Sequence, residues 1–270
     1  MFSLRAILDG LVGLVFPGPG GCPVCGAGVA EALCPACRVE IEGLSGEPHC
    51  DRCGRFFSPV SAPEPEPAVN PPGPPDIRRS PFFAAVPALK PRLCRDCRLG
   101  APPFECCRAY APYDGVARDV VHRLKYDRRR DLAVFLAGLI IRTVRPDPAY
   151  AGADLVVPVP LSREAFKRRG FNQAELLARE LGGQLNIPVR PALDKVRDTP
   201  AQAGLPRAAR LTNLAGCFRC ADKDDLLRGR TVIVVDDVLT TGSTLSEAAK
   251  VLLEAGASRV LGAVLVAARI

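Results

Sequence analysis

Residues 231–245 read TVIVVDDVLTTGSTL, and this stretch decides the fold. Val232, Ile233, Val234 and Val235 make a continuous apolar run, the mark of a strand covered on both faces in a parallel sheet. Two adjacent acids, Asp236 and Asp237, follow at the predicted carboxyl end. A loop of small residues comes next: Thr240, Thr241, Gly242, Ser243 and Thr244. In open parallel sheets, ligands sit beyond the carboxyl ends of strands. A loop entering a helix N-terminus offers unpaired N–H groups and a favourable dipole to an anion. Glycine lets the backbone come close, and hydroxyls add donors, so the loop suits a phosphate. The two carboxylates repel phosphate, but they suit sugar hydroxyls, or a divalent cation that also touches the ligand. A phosphate beside a vicinal diol describes a ribose 5-phosphate. Neither G-x-x-x-x-G-K-[ST] nor a strand-linked G-x-G-x-x-G occurs.

The surroundings of this stretch alternate in type. Residues 114–125, 131–144, 173–185 and 243–254 have helical apolar spacing, the last ending near Gly256 as a C-cap. Residues 153–161 and 259–267 read as strands, the former stopped by Pro158 and Pro160. Strand, helix, strand at this spacing predicts an α/β domain with a parallel sheet. Cations lie nearby in sequence. Lys125 ends a helix, and Lys167–Gly170 (KRRG) reads as a mobile loop that would close over a polyanion with Arg168 and Arg169. Arg128, Arg129 and Arg130 read as solvated. Asn172, Gln173, Gln202 and Asn213 read either as polar site residues or as loop caps, and His122 as structural.

Composition changes near residue 105, where a boundary is expected between segments 1–105 and 106–270. The first segment is rich in cysteine, proline and glycine, and residues 57–81 form a Pro-rich insertion too poor in apolar residues to pack a core. Eight of the 12 cysteines form four Cys-x-x-Cys pairs: Cys22/Cys25, Cys34/Cys37, Cys50/Cys53 and Cys94/Cys97. Two intervening residues let both thiolates bind one tetrahedral Zn2+, so four pairs predict two structural zinc sites. Sequential pairing groups 22/25/34/37 and 50/53/94/97. Interleaved pairing joins 22/25 to 50/53, and disulfides or redox pairs compete with both. Metal would supply folding energy that this core-poor segment lacks. Cys217/Cys220 reads as structural, and Cys106 and Cys107 as buried thiols.

The 270 residues carry a formal charge of +7, which suits an anionic partner without choosing among phosphate, nucleotide and nucleic acid. No run approaches a membrane span, and no secretory signal is expected in the first residues, so a cytoplasmic protein with reduced cysteines is expected. Interleaved aromatics for stacking on single strands are lacking in the first segment, which weakens a direct DNA role relative to protein docking.

The segment VIVVDDVLTTGSTL resembles the phosphoribosyl pyrophosphate (PRPP) motif of type I phosphoribosyltransferases. The stretches HRLKYDRRRDLAVFLAGL, VPVPLSREAFKRRGFNQAELLAREL and TPAQAGLPRAARLTNLAGCF, behind a cysteine-rich N-terminus, resemble the ComF family across nearly the whole chain. That family joins a double zinc ribbon to a phosphoribosyltransferase-like domain and is associated with DNA uptake in natural transformation. The resemblance implies that Asp236 and Asp237 hold the ribose hydroxyls and act in catalysis, while Thr240, Thr241, Gly242, Ser243 and Thr244 cradle the 5-phosphate. It implies that the turn at Pro158, Val159 and Pro160 receives pyrophosphate, often on a strained backbone, with Mg2+ bound to the PRPP. It further implies a competence or DNA-processing partner, and pairing into a homodimer. Two functions fit: pentosyl transfer from PRPP to an acceptor, or a non-catalytic PRPP or nucleotide sensor that docks through its ribbons.

Overall fold

A computed structural model describes residues 21–29, 32–59, 91–127, 129–197, 216–221 and 225–270. Most of the Pro-rich tract, along with Arg128, Gln202 and Asn213, lies outside the described residues. In chain order the elements are helices α1 (Pro35–Glu42) and α2 (Arg95–Leu99), strand β1 (Cys106–Pro112), and helices α3 (Gly115–Tyr126) and α4 (Leu132–Val144). Strand β2 (Leu155–Pro158), helices α5 (Arg163–Arg169) and α6 (Gln173–Leu185), and strands β3 (Leu193–Lys195) and β4 (Phe218–Cys220) follow. Strand β5 (Thr231–Leu239), helix α7 (Ser243–Glu254) and strand β6 (Arg259–Ala267) complete the order.

Four strands form a parallel sheet in the order β1-β6-β5-β2, while β3 and β4 make a separate antiparallel pair. The alternation of a strand divides the core in two. Ile233 and Val235 of β5 join Leu261, Ala263 and Leu265 of β6 under the helices α3, α4 and α6. Val232 and Val234 join Val260 and Val264 under α7. Helices α6 and α7 and strand β6 span the residues that apolar spacing predicted. The strand expected at 153–161 is shorter, because Pro158 and Pro160 lack the N–H a ladder needs.

Strand β5 differs from expectation at its end. It does not end with the acids: Asp236 pairs with Val264, Val238 with Val266 and Leu239 with Ala267, so the acidic pair lies within the ladder. Val238 and Leu239 are apolar and have a partner strand beside them, which is enough to carry pairing onward.

The cysteine-rich region packs on both sides of the core. Cys22, Leu33, Cys34 and Cys37 share an apolar cluster with α3 and α4. Cys50, Cys53, Phe56, Cys94 and Cys97 share the cluster under α7. Backbone bonds join the second group to the sheet: Cys107 N–H donates to Arg52 O at 2.8 Å, and Ile270 N–H to Phe56 O at 2.9 Å. Gly54 makes this seam possible, since a Cβ there would lie 2.6 Å from the Cys107 carbonyl oxygen.

Gly262 of β6 sits in a similar squeeze. A Cβ would lie 2.4 Å from Leu245 Cδ2 and 2.8 Å from Cys107 Sγ. Gly262→Ala should destabilise the fold by about 1–3 kcal/mol through overpacking, read as a lowered thermal midpoint.

Candidate functional site

The loop between β5 and α7 builds one end of the site. Gly242 at the N-cap of α7 adopts φ +82°, a conformation that favours glycine, and has no side chain to cap with. Thr241 Oγ1 instead accepts from Ser243 N–H at 3.4 Å, a long contact on the first amide of the helix. Thr241 and Ser243 hydroxyls bond each other at 2.6 Å and draw the loop inward. The crevice between Asp236 and this loop, lined also by Thr240, Gly242, Ser243 and Thr244, encloses about 30 Å³. A space of that size holds about one water.

The two acids do not stand side by side, as their adjacency in sequence implied. Consecutive residues of a strand face opposite ways. Asp236 is partly exposed and lines the crevice under α7. Asp237 is 3 % exposed and points to the other face of the sheet. There its Oδ2 pairs with Lys125 Nζ at 2.5 Å, and its Oδ1 accepts from Gln173 Nε2 at 3.1 Å. Arg169 Nη1 donates to Gln173 Oε1 at 2.9 Å, and its guanidinium lies over the Tyr126 ring at 5.2 Å. Lys125 and Arg169 are thus gathered near one carboxylate.

Electrostatics separates the pair further. Burial and the neighbouring Asp237 carboxylate push the Asp236 carboxyl up, to about 8, against the pull of Lys125. Burial also opposes ionisation of Asp237, but Lys125 and Gln173 outweigh it and hold that carboxyl below the usual range. For Lys125, desolvation works against the charge, and the two aspartates reverse it and raise the ammonium's pKa.

The turn after β2 lies beside this network. Val159 N–H donates to Val235 O at 2.9 Å, one residue before Asp236. Asn172 caps α6 through its side-chain oxygen and donates through Nδ2 to Val159 O at 3.0 Å. Residues 158–160 have no positive φ. The KRRG segment is not a loop. Ser162 caps α5, Lys167, Arg168 and Arg169 form its last turn, and Gly170 at φ +77° ends it. Arg168 is exposed. Arg129 and Arg130 are not simply solvated: Arg129 donates to Gly21 O and Ala32 O, and Arg130 stacks on Phe171 at 4.7 Å. Arg129 thereby ties the first cysteine group to the turn after α3.

The cysteines settle into sequential groups. Cys22, Cys25, Cys34 and Cys37 bring their Sγ atoms within 4.8 Å of one another, as do Cys50, Cys53, Cys94 and Cys97. The Sγ separations of 3.6 Å (Cys25–Cys34) and 3.8 Å (Cys53–Cys94) match the edge of a tetrahedron with Zn–S near 2.3 Å, about 3.8 Å. In each group the third cysteine also caps a helix, accepting from Cys37 N–H or Cys97 N–H. His49 joins neither group; its ring bonds Glu47 O and packs edge-on against Phe56.

Sequence reading missed Arg55. It is 5 % exposed and donates through Nε to Cys53 Sγ at 3.4 Å, and through Nη2 to Cys94 Sγ at 3.5 Å and Asp96 Oδ2 at 2.6 Å. Its position two residues after a Cys-x-x-Cys pair was the available signal. Beside it opens a groove of about 920 Å³ that runs from Arg92, Arg95 and Arg98 to Thr240 and Thr241. Cys94 of the second cysteine group and Thr240 and Thr241 of the loop before α7 therefore line one groove.

Two measurements probe this arrangement. Asp236 with a raised pKa binds a proton on folding, so ionisable Asp236 loses stability as pH rises from about 4 to about 8. Asp236→Asn should match wild type near pH 4, gain on it up to about pH 8 and then keep a constant lead, as read by thermal melts across pH. Arg55→Met should lower zinc affinity of the second cysteine group by about 10–100-fold, read by competition with a chromogenic chelator.

Comparison with known proteins agrees with both halves of this architecture. Residues 165–270 match the phosphoribosyl transferase domain family, and residues 11–69 match the double zinc ribbon domain family. The DNA utilization protein YhgH of Salmonella typhimurium is 35 % identical over 65 % of this chain and 78 % of its own. Competence protein F of Haemophilus influenzae is 31 % identical over 85 % of this chain and 88 % of its own. Competence protein ComFC of Bacillus subtilis is 27 % identical over 84 % and 80 % respectively. A cysteine-rich double ribbon ahead of a parallel-sheet phosphoribosyltransferase-like domain, with these relatives, makes this chain a member of the ComF family.

Proposed function

We propose that the chain is a PRPP-binding protein of DNA uptake that works in the cytoplasm and transfers the phosphoribosyl group to an acceptor. The observation that carries this reading is Asp236 beside the N-terminus of α7, where Gly242 brings no capping side chain: a carboxyl group and an anion site on one crevice. Asp236 accepts bonds from the ribose hydroxyls, and the amides after Gly242 take the 5-phosphate. The turn at Pro158, Val159 and Pro160 faces the pyrophosphate arm, and Lys125 and Arg169 supply positive charge beside it. When present, Mg2+ offsets charge on the diphosphate, and Asp236 is the partly exposed carboxylate available near it. Departure of pyrophosphate leaves positive charge on the sugar ring, which favours ionisation of Asp236 and is stabilised by the carboxylate so formed. The four-thiolate groups each hold one Zn2+, as their geometry fits, in a ribbon region ending near residue 105. The relatives named for DNA utilization and competence support the cellular role.

A second reading has its own support. The groove with Arg92, Arg95 and Arg98 on one wall suits docking of a polyanion or an acidic surface, so the ribbons would place a PRPP sensor on a DNA-processing assembly. Turnover separates the two. Protein incubated with PRPP, Mg2+ and a panel of bases and amines should release pyrophosphate with at least one acceptor, and metal analysis should find about two zinc ions per chain. PRPP binding without pyrophosphate release selects the sensor. No PRPP binding by calorimetry overturns both, and absence of zinc after reducing purification overturns the ribbon assignment.

A further inference from the structure

We infer that Asp237 does not touch the sugar: it is the hub that holds Lys125 and, through the Gln173 amide, Arg169 as a cation pair for the diphosphate arm, while Asp236 alone meets the ribose. The inference rests on the ribose-phosphate reading above and divides its acidic pair into two unlike jobs.

Strand geometry supplies the first support. Asp237 lies on the face of β5 that carries Ile233 and Val235, away from the crevice that Asp236 lines with the loop. Both of its oxygens are engaged, Oδ2 by Lys125 and Oδ1 by Gln173, and its side chain is 4 % exposed. A carboxylate in this state has little left to offer a diol.

The direction of the Gln173 amide supplies the second. An ionised carboxylate only accepts, so the Gln173 NH2 must face Asp237. The amide oxygen is then left facing Arg169, which donates to it at 2.9 Å. The amide works as a spacer: it passes the orientation imposed by one carboxylate to a guanidinium beyond its reach. Lys125 comes from α3, Arg169 from α5 and Gln173 from α6, so three helices converge on one anion. Two cations share one buried negative charge, and one positive charge is left over. Arg169 Nε is buried and has no hydrogen-bond partner among the described residues. The network is tied to the turn after β2 by Asn172, which lies between Arg169 and Gln173 in sequence and bonds Val159 O. An anion at that turn would meet the surplus charge and the idle donor.

PRPP and ribose 5-phosphate share the diol and the 5-phosphate but differ in the diphosphate, so the pair of ligands separates the two jobs. Calorimetry on the full chain with Mg2+ should use wild type, Asp236→Asn, Gln173→Ala and Arg169→Met. Asp236→Asn should weaken both ligands alike. Gln173→Ala should weaken PRPP about tenfold or more, the worth of a charge-assisted contact, and ribose 5-phosphate by under about twofold. Arg169→Met, at a partly exposed position that leaves the Lys125–Asp237 pair intact, should reproduce the selective loss and serves if Gln173→Ala folds poorly. Equal losses of both ligands in these two variants, or no loss of PRPP affinity, overturn the hub while leaving the ribose-phosphate reading standing. Wild type that binds neither ligand overturns both.

Discussion

Successive side chains of a strand leave it on opposite faces, and β5 carries two acids through that rule. Everything at the site follows from this split. One carboxylate emerges beside the α7 loop, where it is partly exposed and resists ionisation. The other is buried against α3 and α6, where two donors keep it charged. Breaking a buried ion pair by removing one partner costs about 3–5 kcal/mol, since the survivor is left uncompensated. The Lys125–Asp237 pair is thus a structural commitment as well as a chemical one: it pins the end of α3 to the sheet and sets the Gln173 amide.

The ribbon region is joined to this arrangement by more than a linker. Its first cysteine group packs with α3 and α4, and its second with the layer under α7. Backbone bonds from Arg52 and Phe56 extend the sheet's hydrogen bonding into the ribbon. A cysteine-rich segment with little apolar content of its own acquires a core by sharing that of its neighbour. The proposed metal ions tie the ends of that arrangement together.

Much of this was legible in the sequence. The helices at Gln173–Leu185 and Ser243–Glu254 and the strand Arg259–Ala267 follow from apolar spacing and from Asn172 and Gly242 at helix starts. Four Cys-x-x-Cys pairs gave two metal-type groups, but not their pairing. Cys53 and Cys94 are 41 residues apart, and only packing brings them to 3.8 Å. The acids were read as a pair at a strand's end because a local pattern does not say how far a neighbouring strand will carry the ladder. The KRRG segment looked like a mobile loop because its cations suggested a ligand, whereas Ser162 and Gly170 define a helix with ordinary caps. The place of Gln173 and Arg55 depends on contacts from distant elements, which no periodicity encodes.

Arg55 has a consequence beyond stability. Its guanidinium donates to two sulfurs of the second cysteine group, and Cys94 and Asp96 lie on the same groove as Thr240 and Thr241. A disulfide between those sulfurs would weaken two of the contacts that hold the guanidinium beside the groove. The shape of that groove therefore depends on the state of sulfurs that, among the described residues, stand apart from the crevice at Asp236.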